Sequence, residues 1–245
     1  MARGCIFCGK TPTTREHILP QWVSRLLVKS PRGFPSKNRM IRRSGSGEHI
    51  WQSHEPINFV AKCVCADCNG GWMSDIEHDA QSVLTSMIVG QRTTLDAEAQ
   101  GVVATWIGLK AIVGRYGHPP VDPVDRSWLD HFYANHRPPE TWYEWITGYV
   151  GQSPFFYEGR DITLTIPDDP TSTATTPHGV CMTLVIGYLA AKVLGIRGGT
   201  PSEPGTTHLF RIWPVIDNNL VWPPEFHVND PTLDDLCRLW LSDWT

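Results

Sequence analysis

Four of the seven cysteines in this 245-residue chain fall into two pairs with the same spacing, Cys5/Cys8 and Cys65/Cys68. A Cys-x2-Cys pair forms a tight turn that points two sulfur atoms at one ion, and two such pairs supply the four thiolates of a tetrahedral Zn²⁺ site. Four unrelated buried thiols would not explain two identical spacings. We therefore predict that the four cysteines bind one structural zinc ion. Cys63 is a spare thiol that could compete with Cys65, but the two-residue spacing to Cys68 favours Cys65.

A carboxylate, an imidazole and an amide come soon after the two cysteine pairs. Glu16 and His17 lie eight and nine residues after Cys8, and Asn69 directly follows Cys68. If the four thiolates share one ion, the segments that follow the two pairs are held side by side, and these three polar groups converge. A phosphodiesterase with one catalytic cation needs this set of groups, because oxygen ligands hold the cation and an imidazole activates water.

Charge is distributed unevenly along the chain. Residues 1–62 contain 11 basic and 3 acidic side chains, whereas the remaining 183 residues contain 10 basic and 22 acidic ones, for a net charge of −4. A basic segment on an acidic body is expected where the N-terminal part meets a polyanion such as nucleic acid. An ordinary solvated basic surface is the alternative, and charge alone leaves both open.

The elements that must position these groups can be predicted from hydrophobic periodicity. Residues 13–22 are typical of a short strand that ends at a proline, and residues 22–28 of a short amphipathic helix. The Gly-, Pro-, Ser- and Arg-rich residues 30–47 predict a mobile basic loop. Residues 50–65 predict one or two strands that lead into the second cysteine pair. From Trp72 onward, apolar residues recur every three or four positions and predict a helix.

The composition changes beyond about residue 90, and we predict two domains. Residues 1–90 would form a zinc-stabilised module with a basic insertion, and residues 91–245 an α+β domain whose role the sequence does not disclose. Helices are predicted there over residues 96–116, 125–135 and 233–244, and strands over residues 141–150, 155–157, 162–166, 179–196 and 208–215. The predicted fold class is α+β for the whole chain.

The order of the motifs along the chain is specific. Cys5-x2-Cys8 is followed by Glu16-His17-Ile18-x-Pro20 and then by Cys65-x2-Cys68-Asn69. This order resembles that of the zinc-containing HNH endonucleases, and the string Trp72-Met73-Ser74-Asp75-Ile76-Glu77 is similar to a branch of HNH-type proteins from phages and bacteria. The resemblance covers residues 5–80, about a third of the chain. It implies a nuclease core with the ββα-metal fold.

The resemblance also implies a role for each matching residue. His17 would be the general base that deprotonates the attacking water. Glu16, where the family usually has Asp, and Asn69 would be ligands of the catalytic divalent cation, Mg²⁺ or Mn²⁺; capping of a helix is the alternative role for Asn69. Asn58 is the best candidate for the middle Asn of the family, which orients the imidazole, with His54 as the alternative. The zinc would be structural, because four thiolates leave no open position for water.

The resemblance and the basic composition together imply that the partner is DNA, in the first place a DNA duplex. Seven basic side chains are predicted to contact the phosphate backbone without reading bases. They are Arg25, Lys29, Arg32, Lys37, Arg39, Arg42 and Arg43.

The expected function is that of a metal-dependent endonuclease which hydrolyses DNA phosphodiester bonds. One alternative is a non-catalytic zinc module that binds nucleic acid or a protein partner. Another is that the acidic C-terminal domain carries the function and the zinc unit only stabilises the fold. A protein partner bound through the C-terminal domain is compatible with each of these hypotheses.

Hydropathy and cysteine content predict the compartment. The most apolar run, residues 180–191, stops at Lys192 and is too short to span a bilayer. The N-terminal residues lack the apolar region of a signal peptide. An odd number of cysteines in a chain of this length does not indicate a disulfide framework. We therefore expect a cytoplasmic protein in a reducing environment, without a membrane partner.

Overall fold

The computed structural model describes residues 4–28, 38–44, 47–53, 59–117, 124–162, 179–197, 208–216 and 218–238, which form a mixed α+β structure. The helices in this part of the chain are α1 (Gln21–Val28), α2 (Ala66–Gly70), α3 (Trp72–Ile88), α4 (Ala97–Arg115), α5 (Arg126–Asn135) and α6 (Asp230–Arg238). The strands are β1 (Thr13–His17), β2 (Asn38–Ser44), β3 (Gly47–Ser53), β4 (Val60–Cys65), β5 (Thr93–Leu95), β6 (Trp142–Tyr149), β7 (Phe155–Ile162), β8 (Gly179–Ile186), β9 (Leu189–Ile196), β10 (Phe210–Trp213), β11 (Leu220–Trp222) and β12 (His227–Val228).

The strands of the described residues form one large sheet and two small ones. The large sheet has eight strands, seven of them in the order β10-β6-β9-β8-β7-β2-β3, and β12 pairs with β6 beside that path. The pair β1-β4 and the pair β11-β5 are separate two-stranded antiparallel sheets. Most neighbours in the large sheet are antiparallel, but β2 runs parallel to β7.

Helix α4 lies on one face of the large sheet and forms the centre of the core. Almost all of its side chains from Val103 to Arg115 are buried, as expected for a helix that is apolar around most of its circumference. Two glycines let it approach the strands closely. A Cβ at Gly108 would lie 2.8 Å from a carboxylate oxygen of Glu144, and one at Gly114 would lie 2.4 Å from the ring of Tyr157. The backbone of α4 therefore rests directly against β6 and β7.

The region predicted as a mobile basic loop, residues 30–47, contains strand β2 instead, and β3 begins at its last residue. Strands β2 and β3 form an antiparallel hairpin, and β2 also pairs with β7, so residues 38–44 lie inside the large sheet. Met40 belongs to the core that includes α4, whereas Ile41 packs in a second cluster with α6. A strand that is covered on both faces needs no alternation of polar and apolar residues. In β2 the two apolar residues are adjacent and the others are asparagine, serine and arginine, so the sequence does not predict a strand.

The hairpin also connects the two predicted domains. Strand β2 precedes residue 90 and β7 follows it, yet the two strands are hydrogen-bonded neighbours. One continuous hydrophobic cluster includes Ile18 and Leu84 from the first part and Ile146 from the second. The boundary near residue 90 stays a prediction, and the two parts share both a sheet and a core.

The predicted helices and most of the predicted strands are confirmed. Helices α1, α3, α4 and α5 match the segments expected from periodicity to within one or two residues, and α6 begins three residues before the predicted start. The predicted strand over residues 179–196 is a hairpin of two strands, β8 and β9. None of the helices in the described part of the chain has the length and apolar character needed to cross a bilayer.

Candidate functional site

The pairing of β1 with β4 brings the two cysteine pairs together. The first pair lies just before β1, and the second begins at the last residue of β4. Because the strands are antiparallel, Thr13 at the start of β1 lies opposite Cys65 at the end of β4. The turn that carries the first pair closes with Gly9 at a φ of +76°, a conformation that favours glycine. Two segments 56 residues apart in sequence thus meet at one end of a two-stranded sheet.

Helix α5 and the start of α3 fix the first cysteine turn from the other side. Arg126 of α5 donates hydrogen bonds to the backbone oxygens of Ile6 and Phe7, each 2.8 Å long. The ring of Phe7 packs edge-on against Trp72 with 4.9 Å between centroids, and His136 stacks on the same indole at 4.9 Å. The position of the cysteine turn therefore depends on residues on both sides of residue 90.

The four cysteine sulfur atoms lie close enough together to hold one metal ion. All four Sγ atoms lie within 4.8 Å of one another, with 3.5 Å between Cys8 and Cys65 and 3.6 Å between Cys8 and Cys68. A tetrahedral zinc ion with bonds of about 2.3 Å has sulfur atoms about 3.8 Å apart. The residues therefore fit a metal ion such as zinc. Cys63 is buried outside this cluster, as the spacing argument predicted.

Burial acts to raise the pKa of the cluster thiols Cys5, Cys8 and Cys68 and of the spare thiol Cys63 alike. Burial acts to raise the pKa of Cys5, but backbone N–H groups that include those of Cys8 and Cys65 lower it to about 7. Burial raises the pKa of the Cys8 and Cys68 thiols, so the protein alone does not keep all four groups ionised. A bound dication would supply the missing stabilisation. Burial raises the pKa of Cys63 to about 12, which makes it an inert core thiol.

Glu16 and His17 lie at the other end of β1 from the cysteines. They are opposite Ala61 and Val60 of β4, and the register shifts between Thr14 and Glu16. With a rise of about 3.3 Å per residue, Glu16 is about 10 Å along the strand from Thr13, where the cysteine turn ends. The Glu16 side chain is buried and that of His17 half-buried. The acidic and basic candidates are therefore consecutive residues at the end of β1 that is away from the cysteine cluster.

The Glu16 carboxylate is held by an ion pair that the sequence analysis missed. Lys110 of α4 is fully buried, and its Nζ lies 3.2 Å from Oε1 of Glu16 and also donates to Oε1 of Glu77 on α3. Burial raises the pKa of Glu16, while the Lys110 ammonium acts in the opposite direction. The sequence predicted a helix over residues 96–116 and assigned no role to Lys110 or Glu77. A lysine between Leu109 and Ala111, inside an apolar part of that helix, was the available signal.

Asn69 lies inside α2, close to the cysteines. The N-cap positions of α2 and α3, both within the described chain, are Cys65 and Gly71, and neither is capped by a side chain. The alternative role of Asn69 as a helix cap is therefore wrong. The amide is half-buried, and α2 packs against both β1 and β4. Its role as a cation ligand stays a prediction, because Asn69 lies at the cysteine end of β1 and no hydrogen bond among the described residues joins it to Glu16 or His17 at the other end.

Several predicted site residues lie outside the described residues. These are Asn58 and its alternative His54, together with Lys29, Arg32 and Lys37.

The four remaining basic candidates occupy two elements. Arg25 is exposed on α1. Arg39 is half-buried on β2, where its Nε is enclosed without a hydrogen-bond partner among the described residues. Arg42 and Arg43 belong to the same strand. Three of the four therefore lie in the large sheet rather than in a loop, which corrects the expected setting.

A concave surface lies beside Trp72, between α3 and α4. It encloses about 360 Å³, and its polar lining includes Asp75, Asp79, Glu98 and His136. Three carboxylates repel a phosphate backbone.

Comparisons with protein-family models, with curated proteins and with solved structures give no match to this chain.

Proposed function

We propose that residues 5–80 form the nuclease core of a metal-dependent HNH-type endonuclease that hydrolyses DNA phosphodiester bonds. The observation that carries this proposal is the β1-β4 pairing. It joins the four cysteines into one cluster and leaves Glu16 and His17 adjacent on β1, with the helix of Asn69 packed against the same strand. The motif order and the arrangement of β1, β4 and α2 as two paired strands followed by a helix both support the proposal.

In the proposed reaction, the His17 imidazole accepts a proton from the attacking water. General-base assistance of this kind contributes on the order of 10²- to 10⁴-fold in rate. Glu16 and Asn69 would hold a divalent cation, Mg²⁺ or Mn²⁺, through a carboxylate and an amide oxygen. When bound, such a cation neutralises phosphate charge and stabilises the leaving oxygen. The Glu16 carboxylate fits this role in chemistry, and one of its oxygens also accepts a hydrogen bond from Lys110.

The cysteine cluster would hold a structural zinc ion. Four sulfur ligands leave no open coordination position, so the catalytic cation would be an ion separate from the zinc. The seven cysteines are free thiols, which is compatible with the proposed reducing, cytoplasmic location.

Plasmid cleavage tests the proposal. We expect the zinc-loaded chain to nick or cut plasmid DNA in Mg²⁺ or Mn²⁺, and we expect EDTA to stop the reaction. His17→Ala should lose 10²-fold or more in rate while its zinc content stays the same. His78→Ala is the matched control, because His78 is an exposed histidine on the neighbouring helix α3. This variant should cleave plasmid DNA at the wild-type rate. Equal cleavage by His17→Ala and the wild type would refute the assignment.

A second function, a non-catalytic zinc module that binds nucleic acid or a protein, is favoured by one observation. The Lys110 ammonium already neutralises the carboxylate that a catalytic cation would use. Duplex binding by the zinc-loaded chain, without cleavage in any divalent cation, is the result that this alternative predicts.

A further inference from the structure

A buried ammonium group lies between two carboxylates at the proposed cation site. The Lys110 side chain is completely buried, the Glu16 side chain is 9% exposed and that of Glu77 is 25% exposed. Each carboxylate contributes one oxygen to the ammonium. Burying an unpaired ammonium is costly, so the two carboxylates stabilise Lys110 in this position. Three elements that are distant in sequence, β1, α3 and α4, are joined at this point.

The charges of this cluster decide how readily it accepts a further cation. Two carboxylates and one ammonium have a net charge of −1, which a dication would convert to +1. A phosphodiester group has a charge of −1 and would return the sum to zero. Without the ammonium the two carboxylates have a charge of −2, and a dication alone would neutralise them.

We propose that Lys110 makes divalent-cation binding at Glu16 depend on a bound phosphate group. This inference rests on the proposed function. Lys110 is a positioning residue here, since it acts through the carboxylate and does not contact the reacting atoms. Repulsion between the ammonium and a dication is strong in a buried site, because little water screens it. A phosphodiester beside the cation offsets that repulsion, so the cation and the nucleic acid bind cooperatively.

Mn²⁺ titration of the zinc-loaded full chain by calorimetry tests the inference without any cleavage. Lys110→Met should bind Mn²⁺ at least tenfold more tightly than the wild type. Glu77→Gln should bind Mn²⁺ at least threefold more weakly, because the charge of the cluster rises from −1 to zero. The control Lys62→Met removes the same charge from an exposed position on β4 and should leave the Mn²⁺ affinity unchanged within twofold.

The two variants of this cluster keep the test decisive. If Lys110→Met does not fold, Glu77→Gln still tests the charge argument. The Glu77 side chain is partly exposed, and without its charge Lys110 and Glu16 still form an ion pair with no net charge. Unchanged or weaker Mn²⁺ binding by a folded Lys110→Met overturns the inference, as does unchanged binding by Glu77→Gln. Neither result depends on whether the protein cleaves DNA, so a failure here differs from a failure of the proposed nuclease activity.

Duplex binding measures the cooperativity directly. Fluorescence anisotropy with a labelled DNA duplex, in a His17→Ala background that prevents cleavage, gives the duplex affinity with and without Mn²⁺. Coupling between two ligands is reciprocal, so Mn²⁺ should strengthen duplex binding at least tenfold with Lys110 present. With Lys110→Met added, the effect of Mn²⁺ should fall to threefold or less. Equal effects of Mn²⁺ in the two backgrounds would contradict the proposed coupling.

Discussion

Glu144 on β6 is a buried carboxyl group for which a single substitution should change how stability depends on pH. Its side chain is fully buried against α4, and neither of its oxygens has a hydrogen-bond partner among the described residues. Burial raises its pKa well above the ordinary glutamate value of 4.5. The folded protein therefore keeps this proton in a pH range where the unfolded chain releases it. We expect Glu144→Gln to remove this difference.

The sign and size follow from proton linkage. Above pH 4.5 the unfolded chain binds fewer protons than the folded protein, so the free energy of unfolding falls as the pH rises. The contribution of the Glu144 proton to the free energy of unfolding is fully present below pH 4.5. It is lost progressively as the pH rises to the raised pKa of this group. Each pH unit in this window lowers the free energy of unfolding by about 1.4 kcal/mol. Between pH 5 and pH 6 the wild type should lose about 1.4 kcal/mol more than Glu144→Gln.

Urea denaturation of both proteins at pH 5 and pH 6 measures this difference. Glu225→Gln is the matched control, because Glu225 is exposed and its substitution should leave the pH dependence of the wild type unchanged. In thermal melts, about 1.4 kcal/mol corresponds to a relative shift of roughly 3–6 °C for a chain of this size. Parallel pH profiles for the wild type and Glu144→Gln would refute the argument that the folded protein retains this proton.

Two further predictions concern the core and the cysteine cluster. Gly108→Ala should lower the free energy of unfolding by about 1–3 kcal/mol, because the added methyl group would lie 2.8 Å from a Glu144 oxygen. Gly101→Ala on the same helix meets its nearest side chain only at 3.9 Å, so urea denaturation should find it neutral or more stable by up to about 1 kcal/mol. Cys65→Ser should lose bound zinc and lower the melting temperature, whereas Cys63→Ser should keep one zinc per chain by metal analysis. Loss of zinc from both variants alike would contradict the assignment of the cluster.

Much of the local structure and the cysteine site could be predicted from the sequence, because those signals lie within a few residues. A Cys-x2-Cys spacing directs two sulfur atoms to one ion wherever it occurs. The apolar periodicity of α3 and α4 marks their buried faces without knowledge of their partners. The predicted assembly of the four cysteines needed only the assumption that one ion joins both pairs.

The tertiary structure alone decided which distant residues complete the sheet and the candidate site. Strand β2 is stabilised by hydrogen bonds to β7, more than 100 residues further along the chain, and its own sequence carries little strand pattern. Lys110 contacts Glu16, which lies 94 residues away in sequence, and Glu77, which lies 33 residues away. Periodicity reports which face of an element is buried and contains no information about the element that covers it. The ion pair that controls the proposed cation site therefore appears only when three elements pack together.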